Sequence, residues 1–360
     1  MHHLITKIGK GQRGVRDLTW DEAKEALQLM MEGKTTGHQV GAFLMAMRIK
    51  LEAVSELAAF AAATRNYMAP LSTPGDWNVV DVPAYGEKHN TIHMCLAAAI
   101  LATAAGARIC VHSIEHPSSA SDLSRVLGSL GIPTNFQGQD LTDALRDLGF
   151  VYLDMALYHP PLARFLELRD ELGAQNLFHQ VARLLNPTRA RSQVIGVAHP
   201  PYLEKIPEAV SILGGHRLLV FQGVEGFPEL SISAPALIRE LRDDRVVPVH
   251  LKPQDFQLPL GSFQNMAIPK PSPTVSLPEQ EASLITKILH NQIKGRLRDW
   301  AIYNAAMFLY AAGETQSIAT AVPLAQQTLE SGVAAQKLNE LAKVAFAPAN
   351  VSPVKKVVHA

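Results

Sequence analysis

The sequence predicts an α/β protein: a small helical N-terminal domain plus a larger α/β domain with a central, mostly parallel sheet. Three observations predict it. Residues 1–72 carry helical patterning only. A Pro- and Gly-containing break, "APLSTPGDW" (Ala69–Trp77), follows. Beyond the break, short β-rich runs alternate with helical stretches, the pattern of parallel strands joined by helices. With 360 residues, 47% of them hydrophobic, the chain has room for two domains and a sizeable core.

The elements follow in order. "LTWDEAKEALQLMMEG" opens on Thr19 as an N-cap, sets Ala23, Ala26, Leu27, Met30 and Met31 on one face, and stops at Gly33. "TGHQVGAFLMAMRIK" is apolar nearly all round, which predicts an enclosed helix or one at an interface. "VSELAAFAAATRNYM" is a third helix. His2 and His3 read as a disordered end. Strands are predicted at Val79–Val82, Arg108–His112, Phe150–Leu153, Val194–Ala198, Arg217–Phe221 and Val246–Leu251. Two helices in a row, without a strand between them, occupy residues 160–187 and are predicted to return to the helical domain. The α/β domain then comprises residues 73–159 and 188–347, and residues 348–360 form a loose tail. A proline-bearing connection around residues 257–280 precedes the C-terminal helices.

Composition excludes several classes. Lys and Arg together number 33, as do Asp and Glu, so no global basic field announces a nucleic acid. Cys95 and Cys110 lie far apart in apolar runs and read as buried free thiols, which suits a reducing cytoplasm. The longest apolar run, Met94–Ala107, falls short of the roughly 20 residues that span a bilayer.

Three long segments carry a resemblance. These are Leu18–Lys50, "LLNPTRARSQVIGVAHPPYLEKIPEAVSILGGHRLLVFQG" (Leu184–Gly223), and the helices from Leu297 to Leu341. In order and spacing they resemble the anthranilate phosphoribosyltransferase family. The resemblance implies an active cleft between the domains and a homodimer formed through the helical domain. It implies phosphoribosyl pyrophosphate (PRPP) and an aromatic amine as substrates, with Mg²⁺. A diphosphate leaving group needs backbone N–H donors, cations and metal around it.

Four motifs are changed. The family's GTGGD loop with its following N-T pair is here "PAYGEKHNT". Gly86, Glu87, Asn90 and Thr91 match, Lys88 and His89 are cations for an anion, and Pro83, Ala84 and Tyr85 stand where backbone would approach phosphate. The K-H-G-N-R-like run is "VHSIEHPSSASD": His112 matches, Val111 and Glu115 replace cations, and Ser118, Ser119 and Ser121 are hydrogen-bond donors or helix caps. The acceptor-site arginine is Gln175, which cannot pair with a carboxylate as a bidentate cation does; Asn186 completes that region. The acidic pair is "QGVEGFPE", leaving Glu229 with a displaced Glu225 as metal ligands, or as solvated loop acids.

Two functions follow. One is transfer of a phosphoribosyl or related pentosyl group to an acceptor other than anthranilate, with Mg²⁺ as a weakly held cofactor. The other is a non-catalytic dimer that binds single-stranded nucleic acid through Lys88, Arg183, Arg189, Arg191, Lys294, Arg296 and Arg298.

Overall fold

The computed structural model describes residues 1–344 apart from 12, 69–70, 72–76, 85–91, 115–118, 120, 137, 224–228, 263–271 and 273. Four helices form the N-terminal domain: α1 (His2–Ile8), α2 (Trp20–Met31), α3 (Gly37–Lys50) and α4 (Val54–Arg65). Thr19 caps α2 as its sequence predicts: its hydroxyl accepts from Glu22 N at 3.3 Å, and Glu22 accepts from Thr19 N at 2.7 Å. The expected loose end at His2 and His3 is instead helical, because Leu4 and Ile8 are fully or almost fully buried where α1 packs on α3. The buried Glu56 ties the domain together. It accepts from Leu18 N at 2.7 Å, from Ala53 N at 2.7 Å and from Lys50 Nζ at 2.6 Å.

The α/β domain runs β1 (Val79–Pro83), α5 (Met94–Ala104), β2 (Arg108–Ser113), α6 (Leu123–Ser129), α7 (Gly138–Asp147) and β3 (Phe150–Asp154). The chain then passes through α8 (Met155–Tyr158), α9 (Pro160–Leu172) and α10 (Phe178–Val181), and a 3₁₀ turn at Ala182–Leu184. It resumes with β4 (Ser192–Val197), α11 (Pro201–Ile212), β5 (Arg217–Gln222), β6 (Ala236–Arg242) and β7 (Arg245–Leu251), and ends with α12 (Leu277–Leu289), α13 (Arg296–Ala312), α14 (Ile318–Glu330) and α15 (Val333–Ala342).

The seven strands form one sheet in the order β3-β2-β1-β4-β5-β6-β7. β1 to β5 are parallel, and β6 and β7 are antiparallel additions at one edge. Alternation sorts the side chains between two cores. Val80, Val82, Val111, Val194 and Phe221 meet α5 and α13. Val79, Cys110, Ile195, Val197 and Val220 belong to the second core, with α7, α9–α11 and the helical domain. That second core is anchored by aromatic rings. Phe178 of α10 stacks on Phe165 at 4.6 Å and meets the edge of Phe60 of α4 at 6.2 Å.

β6 escapes a reading by composition, because Arg239, Glu240 and Arg242 give it a helix-like look. Its signal is the two-residue turn Asp243-Asp244, with φ of 51° and 57°, which closes a hairpin onto β7. The last helical stretch also divides in two at Gly332, whose φ of 81° no continuous helix accepts. Among the described residues no helix is long and apolar enough to cross a membrane.

Phe178 is fully buried and joins the middle helices to α4. Phe178→Ala is expected to lower stability by about 3–5 kcal/mol in urea denaturation. Ile212→Ala, at a position 51% exposed, is expected to change it by no more than about 0.5 kcal/mol.

Candidate functional site

From β1 the chain first builds outward through β2 and β3, then returns to lay β4 and β5 on the other side of β1. The strand order therefore reverses between β1 and β4. In open α/β sheets the crevice at the carboxyl ends of the strands, at that reversal, is where ligands sit. Here the two strands part early. β1 and β4 pair only at Val80–Ser192 and Asp81–Gln193, while β1 stays with β2 as far as Pro83–His112 and β4 stays with β5 as far as Val197–Gln222. The gap holds a small cavity of about 20 Å³, walled by Pro83, Ala84, Gly196, Phe221, Glu229 and Asn304. Asn304 fixes the far wall: its Oδ1 accepts from Leu230 N at 2.9 Å, next to the buried Glu229.

Gln193 Nε2 donates to Asp81 Oδ2 at 3.2 Å across the last paired rung. His112 stands beside the same carboxylate, Nε2 to Oδ1 3.2 Å. Alternation explains its place: it follows Cys110 onto the face that packs against the helical domain, and it is buried. Burial, with Asp81 adding to it, raises the Cys110 thiol well above its ordinary value, so Cys110 is inert packing.

Gly86, Glu87, Lys88, Asn90 and Thr91, together with Ser118 and Glu225, lie outside the described residues. The helix starts beyond the two loops are defined: His93 precedes α5, and Ser121 and Asp122 precede α6. Glu281 of α12 joins the two. Its carboxylate accepts from the His93 backbone N–H, stands 2.7 Å from His93 Nδ1, and accepts from Ser121 Oγ at 2.9 Å. Sequence reading missed this clasp, since His93 and Glu281 are 188 residues apart. Helix α6 is capped by Asp122, through Arg125 N at 2.8 Å, rather than by a serine. Ser119 Oγ instead donates to Ser121 O at 2.6 Å.

On the acceptor side, the Gln175 backbone carbonyl accepts from Arg48 at 2.6 Å. The Asn186 side chain clasps Ala190, giving and receiving a hydrogen bond at 2.8 Å each, and so holds the turn before β4. Arg183 is buried and donates to Gly196 O at 2.7 Å. Burial pushes its guanidinium down to about 9, against a smaller opposing effect of Tyr202. Arg189 and Arg191 are exposed before β4 begins, about 16 Å along the strand from Gly196. Arg298 is paired with Glu330 at 2.6 Å, Arg296 donates to Ser262 O at 3.3 Å, and Lys294 donates to Asn291 at 2.9 Å. Arg183 and Arg191 thus serve opposite ends of β4.

Among the described residues no three His, Cys, Asp or Glu side chains gather to hold a metal ion. A Mg²⁺ carried in on a substrate diphosphate needs only one or two protein carboxylates. Glu229, buried in the crevice wall, fits that lesser role.

Burial works to raise the Glu281 carboxyl, but His93 and Ser121 together hold it below its ordinary 4.5. A carboxyl depressed in the folded state adds stability above its ordinary value and loses it as the pH falls through the folded value. Glu281→Gln is therefore expected to flatten the acid limb: below about pH 4.5 wild type loses urea stability more steeply than the variant. Parallel limbs would contradict this.

Both halves of the chain match known families. Residues 2–68 match "Glycosyl transferase family, helical bundle domain" and residues 78–335 match "Glycosyl transferase family, a/b domain". Anthranilate phosphoribosyltransferase of Methanococcoides burtonii is 32% identical over 342 residues, 95% of this chain and 93% of that protein. The Laribacter hongkongensis enzyme of that name is 30% identical over 329 residues, 91% and 94% of the two chains. The crystal structure of anthranilate phosphoribosyltransferase from Thermus thermophilus superposes with a TM-score of 0.82 at 28% identity, covering 94% of this chain and 98% of that one. The Saccharomyces cerevisiae enzyme in complex with PRPP and Mg, at 18% identity and a TM-score of 0.80 over 95% and 96% of the chains, shares the fold. The chain belongs to the glycosyltransferase family that includes anthranilate phosphoribosyltransferase.

Proposed function

We propose that this chain transfers a phosphoribosyl or related pentosyl group from a diphosphate donor to an acceptor other than anthranilate. The crevice carries the reading. It lies at the carboxyl ends of parallel strands at the reversal of strand order, with the buried Glu229 in its wall. The loops after β1 and β2 lead from it into α5 and α6. A helix start is suited to an anion through its free N–H groups and dipole. In the reaction the acceptor's lone pair forms a bond to the ribose carbon C1. The bond from C1 to the diphosphate oxygen breaks, and the diphosphate leaves with the electron pair. Glu229, with Glu225, would hold a Mg²⁺ bound to the diphosphate, and the ion would supply charge neutralisation. Gln175 argues against anthranilate, because an amide gives its carboxylate no charge-paired fork.

The helical domain supports assembly as a homodimer: Ile49 and Leu51 are 78% and 63% exposed beside the apolar α3. Two buried free thiols suit a reducing compartment. Single-strand binding has less support, since Arg183 is buried at one end of β4 while Arg189 and Arg191 are exposed at the other.

Calorimetric titration with PRPP and Mg²⁺ tests the reading. Saturable binding is expected, weakened at least about tenfold by Glu229→Ala, with no turnover of anthranilate. Absence of PRPP binding sinks the transferase; efficient anthranilate turnover sinks the altered acceptor. A short single-stranded oligonucleotide serves as the control and is expected not to bind.

A further inference from the structure

We propose that α5 carries its own stand-in for the substrate diphosphate: the Glu229 carboxylate caps the helix start at the Cys95 N–H, and gives that donor up to the diphosphate when it turns to a Mg²⁺. This deepens the transferase reading above and rests on it. Glu229 becomes a two-position residue, a helix cap without metal and a ligand with it.

The first support is a count of donors at the start of α5. A helix leaves its first N–H groups without partners of its own. Here each is already taken. Met94 N donates to Ile92 O at 2.8 Å, and Leu96 N donates to His93 O at 2.9 Å. His93 N donates to Glu281, and Cys95 N donates to Glu229 Oε1 at 3.4 Å. The two donors that the backbone does not satisfy thus face two carboxylates of the chain itself. The dipole and N–H groups that favour a phosphate favour these acids as well. A diphosphate gains an N–H from residues 93–96 only by displacing one of them.

The second support is which acid can move. Glu281 is locked by three groups at the starts of α5 and α6. The bond from Cys95 N to Glu229 is longer than most N–H···O bonds. The backbone just beyond Glu229 is fixed on α13. Leu230 N donates to Asn304 Oδ1 at 2.9 Å, and Leu230 O accepts from Trp300 Nε1 at 2.8 Å and from Asn304 Nδ2 at 3.0 Å. Rotation of the side chain on a fixed backbone is the motion this leaves to Glu229.

The third support is room. Cys95 and Glu229 both wall the cavity of about 20 Å³ where β1 and β4 part. That is space for one water-sized group, such as a carboxylate oxygen, and far too little for the substrate. The carboxylate turns within the cavity; the diphosphate stays at the helix start. One polar atom there is still unmet: His93 Nε2, in a side chain with 0% exposure, has no hydrogen-bond partner among the described residues.

The test is calorimetric titration of the full chain with inorganic diphosphate in EDTA, and separately with PRPP and Mg²⁺. Without metal, Glu229→Ala is expected to bind diphosphate at least about tenfold tighter than wild type, because it frees a backbone donor and removes a repelling charge. Glu229→Gln removes the charge but keeps an acceptor for Cys95 N, and is expected to gain less than Glu229→Ala. With Mg²⁺ the order reverses, and both variants bind PRPP more weakly than wild type. A Glu229→Ala variant no tighter than wild type without metal, or equal gains by the two variants, overturns the proposal. If Glu229→Ala does not fold by circular dichroism, Glu229→Gln decides alone, and no gain in its metal-free affinity overturns the proposal. A metal-free gain without PRPP binding by wild type leaves the cap standing and removes the transferase around it. PRPP binding by wild type without that gain does the reverse.

Discussion

The parting of β1 from β4 is the constraint on which the rest of the site depends. The two strands share only two paired positions, and the side-chain bond from Gln193 to Asp81 closes the last of them. Beyond it Pro83 has no N–H to give, and Ala84 N donates to His112 O at 2.8 Å, so the end of β1 belongs to β2. The backbone of β4 is left facing a gap. A buried carbonyl cannot go unpaired without cost, so something must reach Gly196 O from outside the sheet. Arg183 does so. The same divergence that opens the cavity thus draws Arg183 to the end of β4.

Buried charges in this protein are held by groups that arrive from distant elements. Glu281 is surrounded by three donors that arrive from the starts of α5 and α6, and its carboxyl stays below the ordinary value although burial acts against it. Glu56 collects two backbone N–H groups and the Lys50 ammonium. Both are closed clasps: removing one leaves stranded donors, and neither needs anything from solution. Arg183 is held by the Gly196 carbonyl, and burial lowers its guanidinium against a smaller opposing effect of Tyr202.

Much of the fold was legible in the sequence and much of the site was not. The five parallel strands announce themselves because runs such as Val79–Val82 and Arg217–Phe221 carry Val or Leu on both faces, as buried parallel strands do. β6 hid behind its charges, although Glu240 is buried and accepts from Tyr310 Oη at 2.7 Å. α1 hid behind two histidines, although Leu4 and Ile8, four residues apart, mark its buried stripe. The site depends on distance in sequence. Arg183 reaches a carbonyl 13 residues ahead, and His93 finds its partner 188 residues ahead. Periodicity reports which face a residue lies on; it carries no information about which distant group will be waiting there.

The position of Arg183 is set by both domains, which gives the inherited architecture a physical reason to persist while its motifs change. Arg65 of α4 donates to Leu184 O at 2.6 Å and to Leu185 O at 2.9 Å, so the helical domain holds the backbone immediately after Arg183. Its guanidinium is held by Gly196 of the sheet. A side chain fixed from two sides keeps its place between them. Pro83 and Ala84, and Gln175, make neither of these contacts. What cannot change without loss is the contact between α4, the segment through Arg183, and β4. On this view the substrate-facing chemistry is free to drift along a frame whose two halves are fixed to each other through the crevice itself.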